Sequence, residues 1–165
     1  MIDATRIAPK LYQGSYPIMH LRPMFDVVVL CAEELQTRSP EPGLSILRCP
    51  LNDDGSPMTR AEWHRACAMS DVVARHIAAG RRVLVTCAAG RNRSGLVCAL
   101  TLYRLSPLNG EQCVEQVQAR RANALGNEWF VAALRALPPK LSERRHARRR
   151  ALHRVGPVHQ RVGID

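Results

Sequence analysis

Residues 83–95, Val-Leu-Val-Thr-Cys-Ala-Ala-Gly-Arg-Asn-Arg-Ser-Gly, constrain the fold of this chain more than any other stretch. Val83-Leu84-Val85 is an apolar run that is short and mostly β-branched, so it reads as a strand. Gly90 sits in the middle of the short loop that follows, and Ser94-Gly95 opens an amphipathic helical pattern that continues to Leu105. A strand that passes through a tight loop into a helix is the building unit of an α/β sheet. The geometry has a chemical corollary. Loop N–H groups turned inward, together with the positive end of the helix, form an anion site. Cys87 at the strand end and Arg93 at the helix start place a thiol and a guanidinium beside that anion.

The rest of the chain repeats the alternation. Ile7 to Tyr16 reads as an opening strand and turn, and Asp26 to Cys31 and Ile46 to Leu51 are short β-rich runs separated by a loop over 39–45. Thr59-Arg-Ala-Glu62 is a capping box, so a helix starts there, runs to about Ala79 and stops at Gly80. Asn109-Gly-Glu-Gln112 repeats the signal for a helix reaching Arg121, and Asn127 caps a last core helix through Leu137. The expected fold is α/β, a central, mostly parallel sheet of about four to five strands flanked by helices. Ligands then bind at the carboxyl ends of the strands, where Cys87 and the turn Pro50-Leu-Asn-Asp-Asp-Gly-Ser-Pro57 both fall.

Cys-x5-Arg is not specific by its spacing alone. With six cysteines and 24 Lys+Arg, about one chance match is expected, and Cys98 with Arg104 supplies one. That pair lies inside an apolar helical run with no glycine between its members, whereas Cys87 and Arg93 flank a glycine loop. The chemistry of the two residues fits the loop. A free thiol has a pKa of about 8.5, and the helix terminus, the loop amides and Arg93 all favour the thiolate. Arg93 offers a planar fork that holds two phosphate oxygens, a geometry lysine lacks. Ser94 is placed to donate a hydrogen bond to the sulfur.

Cys87-Ala-Ala-Gly90-Arg-Asn-Arg93-Ser94-Gly95 resembles the signature of the Cys-dependent protein tyrosine and dual-specificity phosphatases, His-Cys-x5-Arg-Ser/Thr, with Thr86 in place of the usual His. The resemblance is to the small dual-specificity branch. It implies hydrolysis of protein phosphomonoesters (phosphotyrosine, with phosphoserine or phosphothreonine) through a phosphocysteine on Cys87. The phosphate would be bound by Ala88, Ala89, Gly90, Arg91, Asn92 and Arg93, with no cofactor. The leaving group then needs a proton from Asp53 or Asp54. The resemblance favours Asp54, which precedes a Gly-Ser-Pro turn, while Asp53 fits branches whose acid follows an Asn, as Asn52 stands here. It also makes Asn127 a support for the loop, alongside its reading as an N-cap. Cys31 ends a strand expected to run parallel to that of Cys87, and a Cys at the matching place in some relatives implies a reversible Cys31–Cys87 disulfide.

Two other readings compete. Gly90-Arg-Asn-Arg93-Ser94-Gly95 resembles the Gly-x-Asn-Arg-Thr-Gly of Cys-dependent RNA triphosphatases, and Thr86 alone suggests a phosphate-binding pseudophosphatase. Of the formal charge of +10, residues 140–165 carry +6, with eight basic and two acidic side chains. The expected organisation is therefore a catalytic domain over 1–139 and a basic C-terminal tail over 140–165, suited to an acidic partner, nucleic acid or anionic lipid. The cysteines form no Cys-x2-Cys pair and the histidines no ligand spacing, so no metal is expected. With no long apolar run and no leader pattern, the expectation is a cytoplasmic protein without a transmembrane segment.

Overall fold

A computed structural model describes residues 2–17 and 19–139; the expected basic tail over 140–165 lies outside the described residues. The chain forms β1 (Ala4–Ala8), β2 (Leu11–Ser15), β3 (Val27–Ala32), β4 (Ser45–Leu51), α1 (Arg60–Ala78), β5 (Val83–Cys87), α2 (Arg93–Leu105), α3 (Gly110–Arg120) and α4 (Glu128–Arg135). The five strands make one sheet in the order β1-β2-β5-β3-β4. Every pairing is parallel except β1 with β2, so the expected α/β sheet is present.

Two elements differ from the expectation. The opening segment is a hairpin rather than one strand, turning at Lys10 with φ 64°, a left-handed conformation for which lysine gives no sequence signal. The last helix ends at Arg135, short of Leu137. The two capping boxes form as read: Thr59 accepts from the Glu62 N–H and Asn109 from the Gln112 N–H. These pairs are local, three residues apart, so the sequence suffices to specify them.

Helix α2 is the hub of the core. Its residues from Arg93 through Leu102 are all buried, because α1, α3, α4 and the sheet all pack around it. Leu96, Val97, Cys98 and Leu100 join Val27, Val29, Val83 and Val85 in the larger core cluster, while Val28, Leu30 and Leu84 cover the other sheet face with Phe25 and Leu21. Strands β3 and β5 are buried along their whole length, as expected of central parallel strands covered on both faces. Cys98 lies in this core, where burial pushes its thiol well up. Arg104 turns away to Asp71 at 2.6 Å, so the second Cys-x5-Arg match forms no site. Among the described residues, no helix is long and apolar enough to cross a membrane.

Candidate active site

Strand β5 and helix α2 are joined by residues 88–92, and the backbone of this loop is held from outside. The Ala88 carbonyl accepts from the Tyr16 N–H at 3.4 Å and that of Arg91 from the Leu125 N–H at 3.3 Å. Arg121 Nε donates to the Gly90 carbonyl at 2.6 Å. The Gln13 side-chain amide donates to the carbonyls of both Gly90 and Arg91, at 3.1 and 3.0 Å. In a planar trans peptide the next N–H points opposite to the carbonyl. With the carbonyls of 88, 90 and 91 drawn outward, the N–H groups of Ala89, Arg91 and Asn92 point into the loop. Gly90 has φ +64°, and a Cβ there would meet the Gly14 carbonyl carbon at 2.4 Å and the Ser15 nitrogen at 2.5 Å. Only glycine fits.

The start of α2 is open to an anion. Asn92 occupies the N-cap position but makes no side-chain capping bond, and the first turn holds no acidic residue. Its amide works elsewhere: Oδ1 accepts from the Gly126 N–H at 2.8 Å and Nδ2 donates to Asp53 at 3.1 Å. The unscreened N–H groups and the helix dipole therefore face the loop interior. Cys87 lies at the end of β5, 3% exposed, with its Sγ 3.3 Å from the Ser94 Oγ.

Arg93 is 7% exposed. Its Nη1 and Nη2 donate to the two oxygens of Glu34 at 2.6 and 2.8 Å, and Nη1 also reaches the Leu51 carbonyl at 3.3 Å. Burial opposes the guanidinium charge, but Glu34 outweighs it and the pKa is raised; Arg93 in turn lowers that of Glu34. Nε is buried without a partner. An end-on pair to Glu34 leaves the parallel Nε–H and outer Nη2–H free, and these two donors match two oxygens of a phosphate.

Of the two aspartates, the geometry brings Asp53 rather than the favoured Asp54 to the loop. Asp53 accepts from Asn92 and from Asn127 Nδ2, the latter at 2.8 Å, and lies 4.0 Å from Arg93 Nε. Asp54 is exposed and closes the turn, accepting from the Ser56 N–H at 2.9 Å. Hydrogen bonds from Ser56 hold its carboxyl at about 2. The turn is pinned by the Trp129 indole, which donates to the Gly55 carbonyl at 3.1 Å. Asn127 thus donates to Asp53 through Nδ2 while its Oδ1 caps α4 through the N–H groups of Trp129 and Phe130.

Thr86 points away from the loop, its hydroxyl donating to the Val29 carbonyl at 2.9 Å. Cys31 follows Leu30, which pairs with Thr86 across β3 and β5, and shares the buried core with Cys87 and with Cys49, whose thiol it meets. Ala88, Ala89 and Arg91 are exposed at the mouth. Glu34, Gln13 and Arg121 carried no signal in the sequence, each lying far along the chain from its partner. Among the described residues, no cluster of side chains suits a metal ion.

Comparison with known proteins gives this geometry a family. The family model described as dual specificity phosphatase, catalytic domain, matches residues 11–138. Human dual specificity phosphatase 28 is 32% identical over 133 residues, which are 78% of this chain and 74% of the relative. A mouse putative dual specificity phosphatase, solved in complex with zinc tungstate, superposes with a TM-score of 0.68 at 24% identity, covering 92% of each chain. PTPMT1, solved in complex with PI(5)P, superposes with a TM-score of 0.66 at 20% identity over 90% of this chain and 98% of its own.

Proposed function

Since the chain belongs to the dual-specificity phosphatase family and is a phosphatase of that class, we propose that it hydrolyses protein phosphomonoesters through a phosphocysteine on Cys87. Phosphotyrosine is the first substrate, with phosphoserine and phosphothreonine beside it. The observation that carries the reading is the loop itself. The inward N–H groups of the loop that follows Cys87, the uncapped start of α2 and the unpaired Nε–H of Arg93, a guanidinium whose charge is felt by the Cys87 thiol, supply donors for a phosphate there.

In the first step Sγ attacks phosphorus, the P–S bond forms and the ester P–O bond breaks. Arg93 and the loop amides hold the equatorial oxygens as charge redistributes, the preorganised arrangement that lowers such barriers most. The leaving oxygen takes a proton from Asp53, which Asn92 and Asn127 orient beside Arg93. Asp54, held at about 2 by Ser56, is a poor proton donor near neutrality. In the second step water attacks phosphorus, its proton goes to Asp53, the P–S bond breaks and the electron pair returns to sulfur. Ser94, 3.3 Å away, hydrogen-bonds the departing thiolate.

The test is phosphate release from a phosphotyrosine peptide, with EDTA present, by wild type and by Cys87→Ser, Asp53→Ala and Asp54→Ala. Expected are wild-type turnover, none from Cys87→Ser, and a loss of about 10²-fold from Asp53→Ala that shrinks when the leaving group is an acidic phenol. A larger, leaving-group-dependent loss in Asp54→Ala would return the acid to that residue. Turnover of triphosphate-ended RNA without turnover of the peptide would overturn the substrate class.

A further inference from the structure

Gln13 is fully buried on β2, opposite Val85 of β5. A buried amide is costly unless each polar atom is matched. Its Nε2 has two hydrogens for three acceptors, the carbonyls of Gly90 and Arg91 and, at 3.3 Å, the Ser94 Oγ, so one hydrogen is shared between a carbonyl and that hydroxyl. Its Oε1 has no partner. The orientation is therefore dictated by the two carbonyls, because a flipped amide would set oxygen against oxygen. Gly95 completes the niche, since a Cβ there would stand 3.2 Å from Nε2 and 3.1 Å from Leu125.

The consequence lies at Ser94. A hydroxyl has one hydrogen and rotates to suit its neighbours. With Gln13 donating to its oxygen, the Ser94 hydrogen is left for the Cys87 sulfur, 3.3 Å away. The residue before the nucleophile cannot do this work, as the Thr86 hydroxyl is engaged with Val29. We infer that Gln13 is a positioning residue for the second chemical step, fixing the Ser94 hydroxyl so that it hydrogen-bonds the thiolate as the phosphocysteine is hydrolysed. The inference rests on the phosphocysteine reading above. In that step the water oxygen bonds to phosphorus, the P–S electron pair goes to sulfur, and the Ser94 hydrogen bond stabilises the charge that arrives there. Attack by the thiolate in the first step does not call on the same bond, so its loss adds to the second step beyond what the lost loop tethers take from both.

Rapid mixing with p-nitrophenyl phosphate reads both steps. The first turnover reports phosphocysteine formation and the steady state includes its hydrolysis. Gln13→Met, nearly isosteric and without a donor, and Gln13→Leu are compared with Ser94→Ala and with the Gln13→Met/Ser94→Ala double variant. Losing the two carbonyl tethers of the loop lowers both steps in each Gln13 variant; expected is a steady-state rate that falls about tenfold further than the first-turnover rate, the effect of one hydrogen bond to charge. In the Ser94→Ala background Gln13→Met should lower the two rates by the same factor, because the bond that weighs on the second step alone is already gone. A first-turnover rate that falls as far as the steady state, or an excess loss on the second step that persists in the Ser94→Ala background, would overturn the role of Gln13. An inactive wild type would instead remove the phosphocysteine reading. Should both Gln13 variants fail to fold, the wild-type Gln13 side-chain amide decides by nuclear magnetic resonance. Slow hydrogen exchange, with a resonance that moves in Ser94→Ala, supports the contact; exchange as fast as a surface glutamine overturns it.

Discussion

Replacing Glu34 separates two opposite roles for its pairing with Arg93. If the carboxylate competes with phosphate for the guanidinium, Glu34→Ala should tighten anion binding. If it aims the guanidinium, the same change should weaken it. The geometry favours aiming, because Glu34 takes the end-on donors at 2.6 and 2.8 Å and leaves Nε–H with its parallel neighbour open. Two charge-assisted bonds would together contribute about 3–6 kcal/mol if buried. The Glu34 side chain is 53% exposed, and solvent pulls such a pair toward the surface range of about 1 kcal/mol or less. Arg93 itself is buried and regains rotamer freedom that is worth up to about 2 kcal/mol. A net loss of about 1–2 kcal/mol corresponds to a fall of about 5–30-fold in kcat/KM. The assay is kcat/KM on a phosphotyrosine peptide, with the vanadate inhibition constant measured in parallel. Vanadate binding that tightens in Glu34→Ala, or both constants within twofold of wild type, would refute the reasoning.

Gly90→Ala should lose at least 10²-fold in kcat/KM, because its Cβ would overlap the β2 backbone at 2.4 Å and positive φ adds strain of about 1–3 kcal/mol; steady-state kinetics with a melt decide it. Asn127→Ala should lose about 1 kcal/mol of stability as a lost cap and also lower kcat by releasing Asp53, whereas Asn127→Ser should restore the stability in denaturant titration but not the rate. Asp3, held at about 2 by its pair with Arg121, contributes stability that is full above its ordinary value of 3.8 and is lost as pH falls toward about 2. The melting difference between wild type and Asp3→Asn should therefore be constant near neutrality and close across that acid window. Peroxide treatment should yield a Cys31–Cys87 crosslink by peptide mass spectrometry, and sulfinic Cys87 without it would refute that pairing.

What could be read in the sequence was what is local. The 83–95 unit, the boxes at Thr59 and Asn109 and the Gly80 stop all depend on residues a few positions apart. Asp53 and Asp54 could not be told apart in that way. Which neighbour faces the loop is decided by amides 39 and 74 residues further along the chain, at Asn92 and Asn127. Glu34 is 59 residues from Arg93 and sits on a turn held through its neighbours, the Glu33 N–H on the Leu51 carbonyl of β4 and the Gln36 amide on the end of β3. Gln13 is hidden for the same reason, inside a strand whose pattern says only that the position is internal. Lys10 misled differently, adopting a left-handed turn that its type does not advertise.

The loop's carbonyls are tethered from β2, from Arg121 beyond α3 and from the segment before α4, so its binding competence is a property of the whole folded domain. Any molecule that occupies it must bind the native state alone and stabilise it by mass action, by about 2.7 kcal/mol at a hundredfold excess over Kd, which raises the melting temperature. Thermal shift against a panel of phosphorylated compounds thus ranks ligands without needing turnover. It would work as well on the Cys87→Ser variant, in which a true substrate stays intact long enough to be identified.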